Sequence, residues 1–331
     1  DNLRGKVMSV ESSTIRHIVF LGFGEAGTAL ARGLCAPDGW RGAQSGRTVS
    51  AIDPLAGSGA LGEAMAATAS ALEIPIERQY GVLLAQADLV VSVVTGVEAV
   101  NAARMAAPVL KPSAVYADFN SITGPQTQRV ASELTNSGII FADVAVMGSF
   151  MANGYQTPLL LSGPGAARMQ TFSQAAGIPA RILNDRVGDA SAVKILRSVL
   201  MKGIEALSVE CLVAAHRQGL VNEVLDNVGD VDKSGFAHFL KVMVISHLPH
   251  AKRRMEEVEK AIENLNETGV RPIMSESTRR SHARTVAAKL DPSIVMGIDL
   301  NQALSLLDER VVGQVSSELG VASADSEQSE S

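Results

Sequence analysis

The sequence predicts two domains: a doubly wound α/β domain over residues 15–187, followed by an all-α domain over 188–317. Apolar strand segments alternate with helical segments throughout the first part, an order typical of a mainly parallel sheet covered by helices. A glycine-rich turn joins the first strand to the first helix. After Gly188 the alternation stops and no convincing strand follows, which indicates a change to helical packing.

Hydrophobic periodicity defines the elements of the first domain. Segment 87–94, ADLVVSVV, is a nearly continuous apolar run, as expected for a strand buried on both faces. Segment 124–138 has proline near its first turn and glycine just past its end, as many helices do. The predicted strands are 17–22, 48–53, 87–94, 114–119, 139–147, 158–163 and 180–183, and the predicted helices are 25–35, 57–70, 98–110, 124–138 and 165–176.

The second domain is predicted to contain only helices. Pro249 is expected to separate two of them, because proline removes a backbone donor from a helix. A loose arm is expected over residues 1–14, within which Met8 could be an internal start, and a disordered acidic tail over 318–331. The predicted helices are 189–218, 235–246, 250–268, 276–288 and 299–317.

Composition excludes several classes of function. The formal net charge is −6 and there is no basic block, so no nucleic-acid partner is expected. No apolar run reaches the ~18–20 residues that would span a bilayer, so no membrane partner is expected. Cys35 and Cys211 stand alone, outside any paired motif, and there is no secretory leader, so we expect a cytoplasmic protein. His247 and His250 lack further ligands at metal-binding spacing, so no metal site is predicted.

The segment VFLGFGEAG fits the G-x-G-x-x-G pattern of a Rossmann-type dinucleotide site at Gly22, Gly24 and Gly27. The first glycine allows the tight turn, the second lets a pyrophosphate approach the backbone, and the third lets helix and strand pack closely. The following helix N-terminus attracts phosphate. The predicted cofactor-binding residues of this loop are Gly22, Phe23, Gly24, Glu25, Ala26 and Gly27.

Asp53 ends the second predicted strand, where an acid receives the 2′-hydroxyl of an adenine ribose. A 2′-phosphate would be repelled there, and no arginine follows closely in the sequence. We therefore predict that the cofactor is NAD in preference to NADP. The alternative is that Asp53 merely caps the following turn.

Four motifs together resemble those of the β-hydroxyacid dehydrogenases and 6-phosphogluconate dehydrogenase. They are the glycine loop, a D-x-x-S segment at 118–121, a D-x-x-V-x-G segment at 143–148, and G-x(5)-K at 188–194. The resemblance extends over residues 15–215 and is nearest to a branch whose C-terminal helical domain has no assigned function. It implies an NAD(P)-dependent enzyme that interconverts a hydroxyl and a carbonyl group.

The resemblance also implies roles for individual residues. Lys194 stands where the family has its acid/base lysine, and Val94 and Thr95 where it lines the nicotinamide ribose. Two departures concern the substrate: Ser198, preceded by Arg197, replaces an asparagine, and Met147 replaces a serine. The implied substrate-binding residues are Asn120, Ser121, Met147, Gly148, Ser149, Arg197 and Ser198.

The helix that contains Lys194 supports a role for this residue independently of the resemblance. Lys194, Arg197, Ser198 and Met201 fall at i, i+3, i+4 and i+7, on one face of an otherwise apolar segment. A lysine whose pKa is lowered by desolvation can act as acid and base for an alcohol. The alternative is a lysine whose methylenes are buried and whose ammonium reaches water.

The sequence thus predicts a dehydrogenase or reductase acting on CH–OH groups. Met147, Ser198 and the segment containing Phe150, Met151 and Tyr155 suggest a substrate bulkier than simple 3-hydroxy acids. Imine reduction and non-catalytic nucleotide binding remain alternatives. A homodimer is expected as well, because the long helix is apolar nearly all round and must be covered.

Overall fold

The protein is described by a computed structural model over residues 15–42, 46–148, 150–229 and 235–312, with the side chains of residues 151 and 152 left aside. The expected arm over 1–14, the expected tail over 318–331 and Ser149 lie outside the described residues. The chain forms two compact units that divide between Val199 and Leu200. This division falls inside the long helix, beyond the boundary at 187 that the sequence suggested.

The first unit contains eight strands in one sheet, and the predicted doubly wound α/β fold is confirmed. The strand order is β3-β2-β1-β4-β5-β6-β7-β8, and all neighbouring pairs are parallel except β6 and β7. The strands are β1 (His17–Leu21), β2 (Thr48–Ile52), β3 (Ile76–Glu77), β4 (Leu89–Ser92), β5 (Val115–Asp118), β6 (Ile140–Val146), β7 (Leu159–Ser162) and β8 (Ala180–Asn184).

Apolar residues of this sheet are buried on both faces. Successive residues of β1 alternate: Ile18 and Phe20 belong to one hydrophobic cluster, and Val19 and Leu21 belong to another. This explains why the strand sequences are nearly continuous apolar runs. The helices of this unit are α1 (Glu25–Leu34), α2 (Gly59–Ala71), α3 (Val82–Ala85), α4 (Ala99–Ala106), α5 (Gly124–Leu134), α6 (Phe150–Asn153) and α7 (Ala166–Ala175).

The long helix α8 (Asp189–Gln218) begins in the first unit and ends in the second. The elements that the structure describes after it are all helical, as predicted, and none of the helices in the described ranges has the length and hydropathy needed to cross a membrane. The helices are α9 (Val221–Val228), α10 (Phe236–Glu267), α11 (Ile273–Ala287), α12 (Pro292–Val295) and α13 (Leu300–Leu307), and a π-helical turn follows over Asp308–Val312.

The predicted break at Pro249 is wrong, because α10 continues through it as a single helix. Leu248 and Ala251, on either side of the proline, are buried against neighbouring helices. A proline inside a helix costs about 3 kcal/mol, and tertiary packing of this kind offsets it. His247, two residues before Pro249, stacks on His282 of α11 with ring centroids 4.8 Å apart.

Candidate active site

A cavity of about 480 Å³ lies where the strand order reverses, between β1 and β4. In open α/β sheets, ligands bind at this point, outside the carboxyl ends of the strands. Both predicted segments contribute to it: Gly22 and Gly24 from the glycine loop, and Val94 and Thr95 after β4. Further lining residues are Ile52, Asp53, Leu55, Leu61, Met65, Tyr80 and Met105.

The three glycines of the loop are required for three different reasons. Gly22 has φ +91°, and a Cβ there would lie 2.7 Å from the carbonyl oxygen of Val93. A Cβ on Gly27 would lie 2.6 Å from the carbonyl oxygen of Gly22. Gly24 is different: no atom of the described residues lies within 4 Å of its Cβ position, and Gly24 lines the cavity. A side chain at Gly24 would therefore enter open space, whereas the other two glycines allow the backbone to fold.

Asp53 is buried and ties the glycine loop to the end of β2. Its carboxylate accepts hydrogen bonds from the backbone N–H groups of Phe23 (2.8 Å) and Leu55 (2.9 Å). The ring of Phe23 is fully buried against Phe20, so this residue takes part in the loop only through its backbone. Glu25 is exposed in the first turn of α1, and Ala26 is half-buried.

Sequence reasoning missed Tyr80, which lines this cavity, and Arg78, which lies two residues before it. Strand β3 pairs with β2, and the Glu77 carbonyl accepts the N–H of Asp53 (2.9 Å). The next residue, Arg78, donates from Nε to the carbonyl oxygen of Pro54 (3.0 Å), the residue that follows Asp53. No signal in the sequence could have shown this, because β3 contains only two residues and has no detectable periodicity.

Lys194 donates a hydrogen bond from Nζ to Ser121 Oγ at 2.7 Å. Both residues belong to the first unit, although they are 73 positions apart. The lysine is half-buried, and desolvation lowers its pKa while the carboxylate of Asp143 opposes that shift. The sequence brought these residues together only through the family resemblance.

The glycine of the G-x(5)-K motif explains how α8 reaches the loop that contains Ser121. Gly188 has φ +95°, and a Cβ there would lie 2.7 Å from the carbonyl oxygen of Gly124. Gly124 begins α5, two residues after the loop 120–122 ends. Two helix N-termini therefore approach each other at a point where neither tolerates a side chain, and Lys194 extends from one toward the other.

Asn120 faces the interior. It is buried, and its Nδ2 donates to Ser92 Oγ (3.0 Å) and Asp118 Oδ1 (2.5 Å). Ser92 is the last residue of β4 and precedes Val94 by two positions, so the Ser121 loop is attached directly to the strand that borders the cavity. In this arrangement Asn120 fixes the loop, and Ser121 is the residue exposed beside Lys194.

The remaining predicted substrate residues are less constrained. Met147 is half-buried against the cluster formed by Ala145, Leu160 and Ala190, and Gly148 is exposed. Arg197 is exposed and forms no ion pair with any described residue, and Ser198 is half-buried.

The segment after β6 does not lie as expected. Phe150 and Tyr155 were expected near the mouth of the substrate site, but both pack against the first hydrophobic cluster. The Tyr155 ring fills the space left by Gly33 on α1. The absence of a side chain on that glycine is the physical reason for the difference.

Comparison with known proteins finds a matching family model for a segment in each part of the chain. Residues 17–173 match the NAD binding domain of 6-phosphogluconate dehydrogenase. Residues 215–285 match a domain of unknown function, DUF1932. The first part of the chain thus contains a domain that matches the NAD binding domain of 6-phosphogluconate dehydrogenase, and the second part contains a DUF1932 domain.

Three solved structures illustrate the similarity. A conserved hypothetical protein from Sinorhizobium meliloti is 28% identical, with a TM-score of 0.55 over 88% of this chain and 93% of that one. A conserved protein described as structurally similar to 3-hydroxyacid dehydrogenases is 27% identical, with a TM-score of 0.54 over 82% and 98%. An imine reductase from Aspergillus terreus is 16% identical, with a TM-score of 0.65 over 86% and 99%, and shares the fold.

Proposed function

We propose that this protein is an NAD(P)-dependent oxidoreductase that interconverts a hydroxyl and a carbonyl group, with Lys194 as the acid and base. The observation that supports it most directly is the hydrogen bond from Lys194 to Ser121, on a loop attached to the cavity wall. The open space at Gly24 fits a bound pyrophosphate, since Gly24 lines the cavity immediately before α1 and a helix N-terminus attracts phosphate.

When bound, the nicotinamide ring supplies or accepts the hydride. In the reducing direction, the ammonium of Lys194 donates a proton from Nζ to the substrate oxygen. In the oxidising direction, the neutral amine takes the proton from the substrate hydroxyl. Ser121 Oγ orients Nζ, and the half-buried position of Lys194 lowers its pKa toward the range in which a proton can move both ways.

We infer that the substrate is bulkier and less polar than a simple 3-hydroxy acid. Ser198 has a shorter side chain than the asparagine of the related enzymes, and Met147 adds a flexible apolar surface. Arg197, free of ion pairs within the described ranges, is available to a carboxylate of the substrate.

Asp53 favours NAD as the cofactor, because a buried acid at the end of β2 repels a 2′-phosphate. Arg78, whose Nε donates to the backbone of the next residue, Pro54, is the cation that would favour a 2′-phosphate in NADP. We therefore propose NAD as the preferred cofactor and NADP as an accepted one.

Imine reduction is the second candidate, and the fold shared with the Aspergillus terreus imine reductase, a complex with NADPH4 and dibenz[c,e]azepine, favours it. An iminium carbon is already activated toward hydride, so an imine reductase depends less on a lysine acid than a ketone reductase does. The two functions therefore differ in what loss of Lys194 does to turnover. A non-catalytic nucleotide-binding role would show no turnover in either case.

The test compares Lys194→Ala with wild type on a panel of ketones, hydroxy acids and cyclic imines. We expect turnover of the best carbonyl substrate to fall by about 10²–10⁴, the usual effect of losing an acid/base group, with NADH affinity barely changed. Lys202→Ala is the matched control, since Lys202 lies on the same helix and pairs with Glu205 at the surface. Near-normal turnover of an imine by Lys194→Ala would favour imine reduction.

The panel also tests the proposed substrate class. We expect kcat/KM below about 10⁴ M⁻¹s⁻¹, the lower edge of ordinary enzymes, for 3-hydroxyisobutyrate, tartronate semialdehyde and 6-phosphogluconate. A higher value on any of the three would show that Ser198 and Met147 do not enlarge the site.

We also propose a homodimer. Within the second unit, α8 exposes Val209 (60%), Leu207 (40%) and Val213 (40%), all of which are apolar. Exposed apolar side chains along one helix are typical of a surface that a partner chain covers.

A further inference from the structure

A row of buried polar side chains crosses the sheet of the first unit. In the strand register Ser92 pairs with Asp118, Asp118 with Asp143, and Asp143 with Ser162. All four residues are at most 1% exposed. Polar groups removed from water in this way are costly unless other groups of the protein bond to them. Their partners therefore indicate what the row holds in place.

Asp143 accepts four hydrogen bonds, and three of them come from the start of α8. Oδ2 accepts the N–H groups of Gly188 and Ser191, each at 3.1 Å, and the hydroxyl of Ser162 at 2.9 Å. Oδ1 accepts the hydroxyl of Ser191 at 2.6 Å. Ser162 in turn accepts the N–H of Ala190 (3.0 Å). The carboxylate thus satisfies helix donors that have no partner within the helix, at the end where the helix dipole favours an anion.

The same carboxylate acts on Lys194, which follows Ser191 by one turn of α8. Desolvation lowers the pKa of Lys194, and the negative charge of Asp143 raises it. On the adjacent strand, burial raises the pKa of Asp118 to about 7, and Asp143 adds to that shift.

The other charged groups on or beside these elements are at the surface or already paired. Asp189, at the start of α8, pairs with Arg186 at 2.7 Å. Arg197 lies one turn beyond Lys194 and is exposed. Asp143 is thus the buried anion that acts on the lysine.

We propose that Asp143 is a positioning residue for Lys194: it fixes the first turn of α8 so that Nζ reaches Ser121, and its charge retains the transferable proton on Nζ. Only the catalytic consequence of this inference rests on the proposed acid/base role of Lys194. The effect on the amine itself is measurable without a substrate. Asp143 touches neither the cavity nor the reacting atoms, so its influence passes through Ser191 and through its electric field.

The experiment is competitive acetylation of the full-length protein over a range of pH, with mass spectrometry to follow Lys194. In Asp143→Asn, a rotated amide can present its oxygen to the backbone donors and its NH₂ to the Ser191 hydroxyl, so the folded state remains accessible. Removing the anion destabilises the ammonium, so the pKa of Lys194 is expected to fall. Lys194 is then acetylated faster than in wild type at the same pH.

Asp189→Asn is the matched control, because it also removes a carboxylate at the start of α8. The Asp189 carboxylate is bonded to Asn184 and Arg186 rather than to the donors that Asp143 binds. We expect the acetylation profile of Lys194 in this variant to match wild type. A merely structural role for Asp143 would lower the melting temperature of Asp143→Asn and leave the titration of Lys194 where it was, and that result would overturn the proposal.

Ser191→Ala keeps the proposal testable if Asp143→Asn does not fold. This variant retains the charge of Asp143 and removes one bond that fixes α8, so Nζ loses its alignment with Ser121 and is acetylated faster at neutral pH. An unchanged acetylation rate in Ser191→Ala would contradict the positioning role. Failure of the catalytic proposal appears elsewhere, as undiminished turnover in Lys194→Ala, so the two can be told apart.

Discussion

Replacing Gly24 with valine should abolish NADH binding and leave the fold intact. The backbone there has φ −73°, which any residue adopts, and no described atom lies within 4 Å of the Cβ position. Replacing glycine removes freedom from the unfolded chain, worth about 0.4–1 kcal/mol of stabilisation. At the N-cap of a helix, however, glycine is more stabilising than valine by a few tenths of a kcal/mol or more. These effects nearly cancel, whereas the new side chain occupies the space the pyrophosphate needs.

The same loop offers a contrast at Gly27. A Cβ there would lie 2.6 Å from the carbonyl oxygen of Gly22, and a backbone oxygen cannot move aside as a flexible side chain can. Overpacking of this kind costs about 1–3 kcal/mol. For a unit of this size, that lowers the melting temperature by roughly 2–4 °C per kcal/mol. Gly27→Ala should therefore lose stability and cofactor affinity together, whereas Gly24→Val loses affinity alone.

The assay combines fluorescence titration with NADH and thermal denaturation followed by circular dichroism. We expect NADH affinity to fall at least tenfold in Gly24→Val, which corresponds to about 1.4 kcal/mol. Gly203→Ala serves as a control, since Gly203 lies within α8 with no described atom near its Cβ position, and it should bind NADH normally. Unchanged NADH affinity in Gly24→Val would refute the assignment of the cavity as the cofactor site.

Three further predictions follow from charge and burial. Asp53→Ala should weaken NADH binding more than NADPH binding, because the acid is proposed to receive the 2′-hydroxyl; equal losses in fluorescence titrations would overturn the preference for NAD. Sedimentation velocity at micromolar concentration should show a dimer, and a monomer would mean that the exposed side chains of α8 need no partner chain. Burial, with His282 and Arg254 nearby, lowers the pKa of His247 to about 4. The native state therefore resists protonation of His247, and stability present above pH ~6.5 is lost as the pH falls toward 4. Because the ring is only half-buried, we expect a loss of about 1–2 kcal/mol after allowance for solvent screening, measured by urea denaturation at pH 7 and pH 4.5. His247→Gln should have a smaller dependence on pH, and an equal dependence would exclude this histidine as the cause.

Regular patterns made most of the first unit predictable. The strands of the sheet are apolar runs between turn residues, and a strand buried on both faces has few alternatives to such a sequence. The glycine loop was predictable because its structure also leaves few alternatives in sequence. The backbone approaches so closely at Gly22 and Gly27 that only glycine fits there. Strand β3 was missed because two residues cannot show a period, and the break at Pro249 was predicted wrongly because local preference gave way to packing of α10.

The candidate site was less predictable than the fold, because its contacts join residues far apart in the chain. Asn120 and Ser121 are neighbours in one motif, yet the amide of the first is bonded inward to Ser92 and Asp118, and only the second meets Lys194. A motif gives the residue types at a loop without giving the direction of each side chain. The direction is set by the buried carboxylate of Asp118, which attracts the donors of Asn120.

The division of α8 between the two units explains why a lysine occurs in this apolar helix. Lys194 lies in the part of the helix that belongs to the first unit, where Ser121 Oγ accepts a hydrogen bond from its Nζ and Asp143 supplies an opposite charge. From Leu200 onward the helix belongs to the second unit, where Leu207, Val209 and Val213 are exposed apolar side chains. The two segments of α8, before and after this division, therefore have different surroundings and need different side chains. A lysine that only needed its ammonium in water would require neither a hydroxyl 2.7 Å away nor a buried anion, and Lys194 has both.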